Sequence, residues 1–88
     1  MLANIMLRFL RAFDIPEDAL GSVPRITLTG DRRVLIENHR GLLAYEKDHI
    51  AVNGGRVMVK LRGDGLELRA MDRSEILVAG QFFSLELE

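Results

Sequence analysis

The chain has 88 residues, of which 48% are hydrophobic and 28% are charged. This composition is typical of one small folded domain and unlike that of a disordered chain. Twelve lysines and arginines oppose thirteen aspartates and glutamates, for a formal net charge of −1, which argues against a dedicated nucleic-acid-binding surface with its usual positive excess. The absence of cysteine excludes a disulfide framework, a thiolate nucleophile and a zinc-finger-type site.

The beginning of the chain predicts an amphipathic helix over residues 2–13. Its apolar side chains recur at helical spacing, with Asn4, Arg8 and Arg11 on the opposite face. This helix is expected to cover the β-core, to dock on a partner, or to lie on an anionic membrane surface. The two arginines interrupt the apolar run, which is too short for a membrane span and lacks the order of a signal peptide. We therefore expect a cytoplasmic chain without an integral membrane segment. The candidate helix interface is formed by Ile5, Phe9 and Phe13.

Two organisational units are predicted. Pro16 and the neighbouring acids favour one short helical turn before Gly21. Pro24 then favours an extended chain from Val23 onward. Residues 1–23 are thus predicted to hold the amphipathic helix and the short helical turn, and residues 24–88 an all-β domain.

From Arg25 onward the hydrophobic period changes to two, which is typical of β-strands. The pattern predicts a mainly β fold, an antiparallel meander, roll or small sandwich of about seven or eight short strands with an N-terminal helix. Glycines recur after apolar-x-apolar-x at 26–30, 59–63 and 76–80, so a β-solenoid with ~17-residue rungs is the alternative. The predicted strands are 25–29, 34–36, 42–46, 49–52, 56–62, 66–70, 76–78 and 82–87.

Several apolar residues occupy positions that simple alternation would expose to solvent. A sheet with one solvated face normally carries polar residues there. We therefore predict that this second face is covered, either by the N-terminal helix or by another copy of the chain, and expect self-association. The residues concerned are Leu35, Leu42, Met58, Met71, Leu77 and Phe82.

Groups able to perform chemistry are few. His39 and His49 are interpreted as structural residues, since neither is expected to stand at ligand spacing from another metal-binding residue. No nucleophile elbow or phosphate-binding loop is present in the sequence. We therefore expect no enzyme activity, no cofactor and no metal. A small β-barrel that binds nucleic acid or a small ligand is the alternative function, based on the basic residues Arg32, Arg33, Arg56, Lys60 and Arg62.

Several segments resemble a known family. The runs 15–20 (IPEDAL), 24–30 (PRITLTG) and 36–41 (IENHRG) are similar to the YqfC branch of the YabP/YqfC sporulation proteins. The strand 76–80 before a final apolar strand adds to the similarity, which extends from about residue 10 to the end of the chain. The Glu-Asn-His-Arg-Gly segment is the more specific part of this resemblance, while the later strands match only as a general β pattern.

The resemblance implies a biological setting rather than a chemical mechanism. Such proteins act in the mother cell of endospore-forming bacteria, in spore envelope or cortex formation, and are usually encoded beside a membrane-associated sporulation protein, which makes that protein the expected partner. We expect a mother-cell cytoplasmic location peripheral to the forespore membrane. Glu37, Asn38, His39 and Arg40 form the candidate interaction loop; the alternative is a structural turn in which Asn38 and Gly41 adopt unusual φ angles and Glu37 pairs with Arg40.

Overall fold

The computed structural model describes residues 23–88, which form one six-stranded sheet in the order β1-β2-β6-β5-β4-β3. Every neighbouring pair is antiparallel. The mainly β, antiparallel prediction is therefore confirmed, and the solenoid alternative, which requires stacked parallel rungs, is wrong. The strands are β1 (Arg25–Thr29), β2 (Arg33–Glu37), β3 (Leu42–Tyr45), β4 (His49–Asn53), β5 (Met58–Met71) and β6 (Glu75–Leu87).

Residues 1–22 lie outside the described part of the chain. The predicted helix over residues 2–13, its candidate interface of Ile5, Phe9 and Phe13, and the division into two units at residue 23 therefore stay predictions. Within residues 23–88 there is no helix with the length and hydropathy needed to cross a bilayer.

The strand count of seven or eight is wrong because two predicted turns lie inside continuous strands. Gly63 and Gly65 belong to β5, and Gly80 belongs to β6. A Cβ on Gly63 would lie 1.9 Å from the carbonyl oxygen of Gln81, and one on Gly80 would lie 2.8 Å from that of Gly65. These glycines permit close backbone contact where the ladder register shifts, so they mark bends of two long strands.

The bends divide the sheet into two halves. The first half-sheet comprises β1, β2, residues 75–79 of β6 and residues 67–71 of β5. The second half-sheet comprises β3, β4, residues 58–62 of β5 and residues 84–87 of β6. Buried side chains from both halves form a single hydrophobic cluster. The sheet therefore folds over at the glycine bends, and its halves enclose a shared core.

The core is built from the inward positions of the strands. Its members are apolar residues that alternate along each strand, as the period of two predicts. Phe82 was expected on the outer face but is buried, because the register shift after Arg62 changes the alternation along the hairpin. The buried residues are Val34, Ile36, Ile50, Val52, Val59, Leu61, Leu66, Ile76, Val78 and Phe82.

Candidate functional site

The candidate interaction loop joins the two half-sheets. We call residues 38–41 the clasp loop, because its backbone bonds to the far ends of both halves. The His39 amide donates to the carbonyl oxygen of Ser74 (3.2 Å), in the turn between β5 and β6. The Arg40 amide donates to the carbonyl oxygen of Asn53 (2.7 Å), and the Asn53 amide donates to that of Gly41 (2.8 Å). The loop thus holds the folded sheet closed opposite its bend.

His39 supplies the side chain of this clasp. The residue is 6% exposed, and its Nδ1 accepts a hydrogen bond from the Gly41 amide (3.0 Å). A backbone amide can only donate, so the second ring nitrogen, Nε2, carries the proton and donates to the carbonyl oxygen of Asp72 (2.8 Å). Both ring nitrogens are therefore occupied inside the fold. In this arrangement His39 acts as a structural crosslink between β2 and the β5–β6 turn.

The other three residues of the candidate loop remain at the surface. Asn38 is exposed, has a φ of 63°, and donates from Nδ2 to the carbonyl oxygen of Val23 (2.9 Å). Glu37 is half-buried, and its Oε1 lies 3.9 Å from the Nε of Arg25 in an ion pair; the expected pairing of Glu37 with Arg40 stays a prediction. Gly41 has a φ of 133°, so the unusual φ angles expected at Asn38 and Gly41 are confirmed. A recognition role for Glu37, Asn38 and Arg40 stays a prediction.

The turn that the clasp loop contacts is itself ordered by a carboxylate. Asp72 Oδ1 accepts hydrogen bonds from the amides of Glu75 (2.7 Å) and Ser74 (2.8 Å). These two backbone donors, the Glu75 amide first, hold the pKa of Asp72 below its ordinary value. At the bend, the Gln81 side-chain amide donates to Asp31 and is the main cause of the lowered pKa of that carboxyl. An open hollow of about 660 Å³ lies between the clasp loop and residues 71–73.

The second histidine stands in an exposed ionic cluster. Contrary to the spacing argument, Glu46 precedes His49 by three residues, and its Oε2 lies 2.9 Å from the His49 Nε2. Asp48 Oδ1 lies 2.9 Å from the other ring nitrogen. The three ligand atoms are within 4.8 Å of one another, but each ring nitrogen already contacts a carboxylate, and both carboxylates are exposed. The arrangement is that of a surface ion-pair group.

One side of the folded sheet has unpaired strand edges. Among the described residues, β1 pairs only with β2, and residues 84–87 of β6 pair only with β5, while Phe83 lies at the register shift between Phe82 and Ser84. A hollow of about 170 Å³ lies between these two edges and is lined by Leu28, Phe83 and Leu85, among others. Leu28 is 52% exposed and Phe83 is 71% exposed. We call this side, formed by Leu28 and residues 83–87, the open seam.

The opposite side of the folded sheet is bridged. The hydroxyl group of Tyr45, on β3, accepts a hydrogen bond from the Leu68 amide of β5 (3.0 Å). The Gly63 and Leu66 amides, at the bend of β5, donate to the carbonyl oxygens of Asp48 and Lys47 (3.0 and 2.7 Å). The two half-sheets are thus joined by hydrogen bonds on this side. In the described part of the chain, the strand edges of the open seam lack such bonds to each other.

Comparison with known proteins places the chain in a family. The profile described as the YabP family matches residues 22–88, the whole of the folded sheet. This chain belongs to the YabP family. It is also 34% identical over 70 residues to a Bacillus subtilis (strain 168) protein named "Uncharacterized protein YqfC", with 80% of this chain and 75% of that protein covered. No solved structure matches the chain.

The family match covers both the clasp loop and the open seam. The sequence predicted an interaction role for the segment that forms the clasp loop, but it did not predict the open seam. Consecutive phenylalanines at 82 and 83 were the available signal, because neighbouring residues of a strand point to opposite faces and only one of the two rings can enter the core. The sequence could not indicate that the outward ring would lie beside an unpaired strand edge.

Proposed function

We propose that this YabP-family protein is a non-enzymatic sporulation protein of the mother cell, which acts by protein–protein contact in spore envelope or cortex formation. Its family membership, together with the sporulation role that the resemblance implies for such proteins, supports this setting. The proposed partner is a membrane-associated sporulation protein, engaged at the cytoplasmic side of the forespore membrane. In this role the protein is an assembly component rather than a catalyst.

The observation that carries the contact role is the open seam. Unpaired strand edges present backbone donors and acceptors that can add a strand from another chain. Exposed apolar side chains beside such an edge give the added strand a surface on which to pack. Phe83, at 71% exposure, and Leu87, at 56%, supply this surface here. An extended, apolar segment of the partner would therefore fit the seam.

The alternative of a nucleic-acid-binding module receives less support. The basic residues behind it are distributed over both half-sheets: Arg33 lies on β2, while Lys60 and Arg62 lie on β5 in the second half-sheet. Lys60 also pairs with Glu88 (Nζ–Oε2 2.8 Å). A strand-binding surface needs several exposed rings beside continuous positive charge. No observation on the described residues favours that function.

The test uses tagged protein expressed in sporulating cells in place of the native copy. Wild-type protein is expected to co-purify a membrane-associated sporulation protein, and Phe83→Ser is expected to lose it while remaining folded. Leu43→Ser is the matched control, because Leu43 is a comparably exposed apolar residue (53%) on β3, away from the seam. Equal recovery of the partner by Phe83→Ser, or normal spore formation in a strain lacking the protein, would contradict the proposal.

A further inference from the structure

The outer face of the first half-sheet carries an apolar centre. Val34 and Ile36 of β2 point into the core, so Leu35 between them points outward. Leu35 lies opposite Leu77 of β6, and Leu77 lies opposite Ala70 of β5. These three residues and Met71, which is 47% exposed, line a hollow of about 190 Å³.

Charges of opposite sign flank this apolar centre along a single strand. Outward positions of β2 alternate with the core positions, so its outer face presents Arg33, Leu35 and Glu37 in that order. Arg33 is exposed, and no ion pair to it occurs within residues 23–88. The strand thus presents a positive charge, an apolar side chain and a negative charge at regular spacing. Glu37 also makes a long ion pair with Arg25 of β1 in its own chain (Nε–Oε1 3.9 Å), and a single partly exposed pair of this length contributes little to stability, so Glu37 can approach a second cation.

This order is self-complementary. Consider two copies stacked face to face, related by a two-fold axis that lies between the sheets, parallel to them and perpendicular to β2 at Leu35. This axis places Arg33 of each copy over Glu37 of the other and brings the two Leu35 side chains together. Stacked sheets pack about 10 Å apart, a distance that arginine and glutamate side chains can span between them. Isologous interfaces of this kind are the commonest in soluble oligomers. Charge complementarity therefore favours a second copy of this chain as the occupant.

We propose that the outer face of the first half-sheet is a two-fold homodimer interface, centred on Leu35 and Leu77 and aligned by the Arg33–Glu37 pairs. This inference rests on the proposed assembly role and names the surface through which copies associate. Four strands of five residues give a face of roughly 19 by 17 Å, so the interface belongs to the class that buries less than about 1,200 Å². An interface of this size is typical of weak, transient association, so the dimer is expected to form only at high protein concentration.

A charge-reversal cycle on the full chain tests the geometry by sedimentation equilibrium at about 1–500 µM protein. Arg33→Glu alone and Glu37→Arg alone each place like charges in register and are expected to weaken the homodimer at least about tenfold. An equimolar mixture of the two variants restores opposite charges at both pairs, and we expect its affinity within about threefold of the wild type. The double variant R33E/E37R is expected to recover equally. Lys60→Glu, on the outer face of the second half-sheet, and Phe83→Ser, at the open seam, are matched controls that leave dimerisation unchanged.

Three results overturn the inference. The first is a wild-type chain that stays monomeric up to about 500 µM; crosslinks from residues 2–13 to Leu77 would then identify the amphipathic segment as the cover of this face. The second is association that neither single variant weakens. The third is weakening that the mixture does not restore while circular dichroism shows all variants folded. These results leave the partner contact at the open seam intact, because that contact is tested separately by Phe83→Ser in cells.

Discussion

Replacing His39 with alanine removes both hydrogen bonds that the imidazole makes across the clasp. Each is worth about 1 kcal/mol net, and the Gly41 amide and Asp72 carbonyl group are left without these partners at a site that is 6% exposed. We expect the free energy of unfolding to fall by about 2–4 kcal/mol, a large part of the roughly 4–13 kcal/mol that a chain of this length has. The corresponding fall in Tm is about 10–25 °C.

Urea unfolding followed by far-ultraviolet circular dichroism measures this loss, with His49→Ala as the matched control. His49 is half-buried and contacts only two exposed carboxylates, so its removal should cost less than about 1 kcal/mol. His39→Asn keeps an acceptor near the Gly41 amide, and His39→Gln keeps a donor toward the Asp72 carbonyl, so each should lose about half as much as alanine. A loss below about 0.5 kcal/mol for His39→Ala, with weakened partner binding, would refute the structural role and restore the recognition role.

Three further changes test other parts of the fold. Gly63→Ala should lower the free energy of unfolding by about 3 kcal/mol or more, because its Cβ would collide with the Gln81 carbonyl oxygen. The control Gly30→Ala lies in open space and should cost only the strain of a left-handed backbone, about 1–2 kcal/mol. Equal urea midpoints for the two variants would contradict the close backbone contact at Gly63. Tyr45→Phe should cost about 1 kcal/mol and speed hydrogen exchange at the Leu68 amide, whereas unchanged exchange would show that the hydroxyl group does not tie the half-sheets. The pKa of Asp72 is lowered in the fold. Its ionised carboxylate therefore stabilises the protein fully at pH values above the ordinary carboxyl pKa, and this contribution is lost as pH falls through the pKa of the folded state. Asp72→Asn should therefore flatten the acid limb of a stability–pH profile below about pH 4, and superimposable profiles would contradict this assignment.

The local pattern of the sequence was sufficient to place most strand segments and most of the core, although not the number of strands. Alternation places Val34, Ile36, Val59 and Leu61 inward, and all four are fully buried. This works because side-chain direction in a strand is set by the backbone period of two, which does not depend on distant contacts. The sequence Asn53-Gly54-Gly55 is typical of a tight hairpin turn, and it lies where β4 ends and the connection to β5 begins, with Asn53 Oδ1 accepting a hydrogen bond from the Gly55 amide (2.8 Å).

The roles of glycines and of single side chains were decided by residues far away in the chain. From the sequence, Gly63 is consistent with a turn, and only the folded chain shows that the Gln81 backbone lies against it. Alternation within the predicted strand 82–87 places Phe82 outward, whereas the register shift at Arg62 and Gly63 places it in the core. His39 meets Asp72, 33 residues later, only when the sheet has folded at its glycine bends. Strand direction is a local property of the backbone, whereas turns, burial at bends and hydrogen-bond partners depend on which strands come together, and that pairing is a property of the whole folded chain.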